Sequence, residues 1–138
     1  MRLVLDTNIF ISAFYWGGNS QKIIDRINEG VDELYISEQI INEISEVMSR
    51  PKFKTENAII NGYIKTIEKS SEKILIEGKI KGICRDKDDD DKLECAIICN
   101  ADFIITGDDD LLVIRNYENI NVVTPKAYID IINKTNGT

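Results

Sequence analysis

The 138-residue chain has no histidine. That excludes Ser-His-Asp and Cys-His nucleophile pairs, imidazole acid–base catalysis and zinc proteases of the HExxH kind. Hydrolytic chemistry is left with carboxylates, lysines or a metal bound through oxygen. Cysteine is scarce too. Cys84, Cys95 and Cys99 are an odd number without framework spacing, which argues against disulfides. Cys95 and Cys99 stand four apart on an expected helix, but a zinc site needs more nitrogen or sulfur ligands. They read instead as small buried apolar residues. Apolar runs last only a few residues, too short to span a bilayer. The opening Met1-Arg2-Leu3-Val4-Leu5 reads as a core strand, without the longer apolar region and cleavage site of a signal peptide. A cytoplasmic protein with no membrane partner is expected. With two prolines and no repeat, low-complexity tract or Pro/Gly-rich boundary, the chain reads as one domain over residues 1–138.

What is present is charge, and it is unevenly placed. Hydrophobic residues make up 43 % and charged residues 30 %, a balance typical of a packed globular chain. The net charge of −7 argues superficially against a nucleic-acid partner. Yet residues 86–110 hold ten acids against two lysines, a net of −8, whereas residues 50–85 hold nine basic residues against four glutamates, a net of +5. One region suits cations and the other suits phosphates.

Hydrophobic periodicity alternates between strand and helix. Strands are expected at residues 2–6, 33–37, 73–76, 103–106 and 120–124, and helices at 19–29, 38–49, 55–70 and 89–100. Thr124-Pro125 has the form of a helix cap followed by proline at the first helical position. Such alternation predicts an α/β fold, a three-layer α/β/α sandwich around a mostly parallel sheet. Sites in these sheets form beyond the carboxyl ends of the strands.

The acids fall where that rule wants them. Asp6 ends the first strand and Asp108 follows the fourth, after Thr106-Gly107. Glu43 lies at the border of the apolar stripe of its helix, beside Ile40 and Val47. Asp88, Asp89, Asp90 and Asp91 precede a buried helix, and four in a row exceed what capping can use. An EF-hand is excluded by spacing, because a loop starting at Asp86 puts Asp91 where glycine is needed and Ile97 where glutamate is needed. Carboxylates converging from strand ends and a helix start suit a hard cation such as Mg²⁺ or Mn²⁺.

At these residues the chain resembles a known family. Asp6-Thr7-Asn8, a helical Glu43, Asp86-Lys87-Asp88-Asp89-Asp90 followed by Leu93-Glu94-Cys95-Ala96, the run from Ala101 to Leu112, and Thr124-Pro125 occur in the order seen in PIN domains. The likeness is strongest to stand-alone prokaryotic PIN proteins of the VapC kind, the toxins of type II toxin–antitoxin systems. The resemblance implies Mg²⁺- or Mn²⁺-dependent endonucleolytic cleavage of single-stranded RNA by activated water. It implies Asp6, Glu43, Asp89 and Asp108 as catalytic acids, with Asp6, Asp89 and Asp108 on the metal. Asp90 is a rival to Asp89, whose place is judged from its standing seven residues before Ala96. Thr7, Asn8, Thr106 and Asp110 resemble supporting positions. Lys87 departs from the family, where proline is frequent. Residues 50–85 match only in helical character, so substrate contacts there, carried by basic residues, do not transfer. A cognate antitoxin and a homodimer are further expectations.

Other classes compete. A metal-dependent phosphatase on a similar sheet wants an aspartate two residues after the first, and Asn8 stands there. A non-catalytic module with a structural ion, of the receiver kind, wants an early acid pair and a late strand-end lysine, which are missing. A PIN nuclease of RNA processing keeps the chemistry and changes only the biology.

Overall fold

The computed structural model describes residues 1–136. Positions 137 and 138, inside the expected 1–138 domain, lie outside the described residues.

β1 (Arg2–Leu5) is buried from Leu3 to Leu5. Consecutive buried residues mean that both faces of the strand are covered. α1 (Thr7–Tyr15) follows at once, where no helix was expected. Its sequence is mostly apolar, and Ile9, Phe10, Ile11 and Ala13 are buried on several sides, while Asn8 and Phe14 are exposed. A helix with so wide an apolar face writes only a weak amphipathic period. What starts it is Asp6, whose carboxylate accepts the Thr7 N–H at 2.7 Å. α2 (Gly18–Asn28) comes next, after Gly17 and Gly18 at φ 75° and 61° turn the chain. That left-handed backbone is open to glycine at little cost.

β2 (Glu33–Ser37) runs into α3 (Glu38–Met48), capped by Ser37, which accepts the Ile40 N–H at 3.3 Å. α3 buries the stripe Ile40, Ile41, Ile44 and Met48. Pro51 opens a single 3-10 turn over Pro51–Phe53. α4 (Asn57–Lys69) and β3 (Ser71–Ile74) follow, the strand two residues earlier than expected. α5 (Lys87–Ile98) also starts two residues early, because Asp86 rather than Asp88 caps it. Then come β4 (Phe103–Ile105), the short α6 (Asp109–Leu112), β5 (Asn116–Tyr117), β6 (Ile120–Val123) and α7 (Pro125–Asn136). Thr124 caps α7 by accepting the Ala127 N–H at 3.1 Å. α6 and β5 were unexpected; both are too short to carry a period.

The strands form one six-stranded sheet in the order β3-β2-β1-β4-β6-β5, parallel except for β5. α5 packs on β1, β2 and β4, while α1, α2, α3, α4 and α7 pack among themselves. The α/β class and mostly parallel sheet expected from sequence are present. Leu3, Leu5, Phe10, Ile36, Ile40, Ile44, Leu93 and Ile104 sit in the core with almost no exposure. Each such side chain contributes roughly 1.5–3 kcal/mol of transfer free energy. Among the described residues no helix is long and apolar enough to cross a membrane.

The order of strands places the site. From β1 the chain goes to β2 on one side and returns to β4 on the other, so a switch point lies between β1 and β4. Ligand crevices in open α/β sheets form beyond the carboxyl ends of strands at such a point. Leu5 pairs with Ile105, which sets Asp6 beside Thr106 at that edge.

Candidate active site at the carboxyl edge of the sheet

Asp6 is the hub. Its backbone N–H donates to the Ile105 carbonyl at 2.9 Å, which continues the ladder one residue past β1. Its Oδ2 accepts from the Thr106 hydroxyl at 2.6 Å, and its Oδ1 faces the Lys92 ammonium at 2.8 Å. The Thr106 hydroxyl also accepts the Asp108 N–H at 3.0 Å, so Thr106 ties the two strand-end acids together. Asp108 caps α6 by accepting the Asp110 N–H at 3.0 Å.

Glu43 reaches the same place from α3. The Thr7 hydroxyl donates to its Oε2 at 2.5 Å, and that oxygen is 3.7 Å from the Lys92 ammonium. Asp89 comes from the first turn of α5, with Oδ1 3.3 Å from the same ammonium. Its other oxygen, Oδ2, is buried and has no hydrogen-bond partner. Burial pushes the Asp89 carboxyl up to about 6; Lys92 opposes this, and the neighbouring charges of Asp6 and Asp108 add to it.

Lys92 was not singled out from the sequence. It lies one turn beyond Asp89 on α5, with its side chain only 6 % exposed. Burial works against its charge, but Asp6, then Glu43 and Asp89, outweigh that and hold the ammonium above its ordinary pKa. The spacing puts it on the helix face of Asp89, because residues three apart share one, but it says nothing of Asp6 and Glu43. A lysine on a helix ordinarily reads as surface, which hid it.

Asp90, a candidate ligand on sequence, is engaged elsewhere. Its two oxygens accept the N–H groups of Gly82 at 3.0 Å and Cys84 at 2.7 Å. Successive helix residues point about 100° apart, so Asp89 faces Asp6 while Asp90 clasps the loop before α5. Glu94, one turn on, does the same for the N–H groups of Glu77, Lys79 and Ile80. Of the expected supporting residues, Thr7 and Thr106 hold acids in place. Asn8 is exposed, and Asp110 stands 3.8 Å from Arg85. The cysteines are free, and burial pushes the Cys95 and Cys99 thiols up to about 12 and about 11. Both stay protonated, as the apolar reading requires.

The donor set fits a hard divalent ion, being carboxylate oxygens with one buried oxygen still unpartnered. Three acids meet one ammonium here, with the charge of Asp108 close by, so negative charge is in excess. Yet among the described residues no three acidic or cysteine side chains stand as a ready-made ion site. Lys92 stands between them.

Several basic residues of 50–85 are already paired: Arg50 with Glu46, Lys73 with Glu38 and Glu68, Lys79 with Glu77, and Arg85 with Asp110. Lys52 lies 5.0 Å from the centre of the Phe53 ring.

A family model described as PIN domain matches residues 2–110 of the chain. No curated protein matches. Among solved structures, a chain of VapBC2 from Rickettsia felis, bound to a DNA fragment from their promoter, shares the fold. The TM-score is 0.63 over 90 % of this chain and 98 % of that chain, at 16 % identity.

Proposed function

The chain belongs to the PIN-domain family, a family of nucleases, and from that premise we propose that it is a divalent-metal-dependent endoribonuclease acting on single-stranded RNA. What supports this reading is the approach of Asp6, Glu43 and Asp89 to one point, within 3.7 Å of the Lys92 ammonium, beside Asp108 and at the switch point of the sheet.

Asp6, Asp89 and Asp108, aided by Glu43, are the side chains that would hold Mg²⁺ or Mn²⁺. When bound, such an ion polarises a phosphate oxygen and makes water acidic enough to attack the phosphorus. The rest of the work belongs to the chain. Thr106 fixes Asp6 through Oδ2, while Oδ1, which accepts the Thr7 N–H, faces the Lys92 ammonium at the centre. Thr7 holds Glu43 and, through its N–H, also braces Asp6. In-line attack with the RNA held against this edge leaves a 5′-phosphate and a 3′-hydroxyl. Lysines of 50–85 outside ion pairs, Lys52 and Lys54 among them, guide the backbone and make binding salt-sensitive.

The biological reading is the toxin of a toxin–antitoxin pair, working in the cytoplasm, with a cognate antitoxin and a second copy of the chain as partners. Exposed Trp16, Leu75 and Val113 are apolar surface available to them. The experiment is incubation of the purified protein with structured and unstructured RNA, with Mn²⁺ and with chelator. Cleavage of unstructured RNA that chelator abolishes is expected. Turnover of small phosphate esters without RNA cleavage would overturn the proposal in favour of a phosphatase.

A further inference from the structure

A lysine at the centre of an acid cluster is a strange feature for a metal site. Lys92 is buried, extends from the same helix as Asp89, and lies 2.8 Å from Asp6 Oδ1, 3.3 Å from Asp89 Oδ1 and 3.7 Å from Glu43 Oε2. Its ammonium carries three N–H donors, and three carboxylates surround it. It compensates one unit of charge among these three acids, with the charge of Asp108 close by, and it leaves Asp89 Oδ2 buried without a partner. The acids it separates do not form a ready-made ion site.

We propose that Lys92 is a resident counter-cation, occupying the place of the divalent ion in the metal-free protein, so that metal binds by displacing its ammonium from Asp6 and Asp89. This rests on the metal-site reading above. The physical reason is competition for the same oxygens. Buried like charges repel strongly, and some cation must stand among them for the edge of the sheet to stay closed. A tethered ammonium does this without metal. A divalent ion would do it better, because it brings twice the charge to a cluster in which Asp89 Oδ2 is still unpartnered. The lysine therefore keeps the apo protein folded while weakening its hold on metal. Its four-carbon stem lets the head swing aside when the ion enters.

The test compares the full-length wild type with Lys92→Met, Lys92→Arg and Asp6→Asn. Mn²⁺ binding is read by titration calorimetry and by the paramagnetic signal of free Mn²⁺, and melting is followed with chelator and with saturating Mn²⁺. Methionine keeps an unbranched side chain of similar reach and removes the charge. Lys92→Met should bind Mn²⁺ at least tenfold more tightly, melt lower than wild type in chelator, and regain the difference in Mn²⁺. Lys92→Arg, which keeps the charge, should stay near wild type. Affinity of Lys92→Met within twofold of wild type, or weaker, overturns the inference. So does a Lys92→Met protein that stays unfolded in saturating Mn²⁺, because the lysine would then do something no ion replaces. Asp6→Asn separates the two claims. If it binds Mn²⁺ as wild type does, the metal-site reading fails and takes the lysine with it. If it loses Mn²⁺ while Lys92→Met is unchanged, only the lysine inference fails.

Discussion

Two buried acids, Asp32 and Asp89, sit at opposite edges of the same sheet and are treated in opposite ways. Asp32 precedes β2 at the amino edge. It accepts from Arg26 Nε at 2.9 Å and the Tyr128 hydroxyl at 2.7 Å, and the amino group of Met1 is 3.4 Å away. Burial pushes its carboxyl up, but Arg26 and Tyr128 outweigh that and leave it below its ordinary pKa. Asp89 is as deeply buried at the carboxyl edge, yet one oxygen is orphaned and its carboxyl is raised. On the proposed function, burial is therefore not what separates a structural acid from a chemical one. The difference is closure. The first cluster meets its acid with cations and satisfies its oxygens from within the chain, and the second keeps an excess of negative charge and an unpartnered oxygen.

The largest effects should come from breaking each cluster at its hub. Asp6→Asn should lower Mn²⁺-dependent RNA cleavage by about a thousandfold or more, the scale of removing several kcal/mol of metal-borne transition-state stabilisation. Its melting temperature in chelator should not fall, because the substitution relieves like-charge crowding. Cleavage at the wild-type rate would dissolve the contrast between the two edges. Asp32→Ala should do the reverse. It leaves Arg26 without its carboxylate and should destabilise the fold by about 3 kcal/mol, measured by urea denaturation, with cleavage per folded molecule unchanged. Loss of activity out of proportion to folding would mean that the amino edge is not merely structural.

A smaller effect sharpens the account of the site. Thr106→Val removes the hydroxyl that holds both Asp6 and the Asp108 N–H. Loss of an outer partner of a metal ligand typically lowers metal affinity or activity by roughly 10- to 100-fold. Mn²⁺ titration of the variant should show that loss. An unchanged affinity would mean that Asp6 is held well enough by Thr7 and the strand alone.

How much of this could be seen in the sequence follows from the same contrast. Asp6, Glu43, Asp89 and Asp108 could be proposed from the sequence because strand ends, helix borders and a run of aspartates leave local marks, and the fold brings Asp6, Glu43 and Asp89 to Lys92. The alternation that builds the parallel sheet was visible too. Asp90 could not be separated from Asp89, because the outcome depends on where α5 begins and hence on which way each residue turns. α1 was hidden by an apolar face wide enough to blur its period. Asp32 and Lys92 were hidden for a further reason. Their meaning lies in partners distant along the chain, Tyr128 for one and Asp6 and Glu43 for the other, and no local pattern records such closure.

The smallest predicted effect is a dependence on pH, and its sign differs between the two acids. In the metal-free fold Asp89 titrates at about 6, above its ordinary 3.8. The folded state then holds its proton where the unfolded chain has lost it, so this group's contribution to stability falls as pH rises from about 4 through about 6. Asp32, with its pKa lowered, contributes stability that is complete above its ordinary range and lost only as pH falls below it. Asp89 is faced by Asp6 beyond β1, Asp108 beyond β4 and Lys92 on its own helix. Asparagine at 89 removes the titration and leaves these neighbours in place. In chelator, the melting temperature of Asp89→Asn relative to wild type should therefore be higher at pH 7.5 than at pH 5 by a few degrees. Asp32→Asn should show no such change over that interval. If the Asp89→Asn difference is the same at both pH values, the carboxyl edge is as well closed as the amino edge, and the distinction between a finished cluster and an unfinished one disappears.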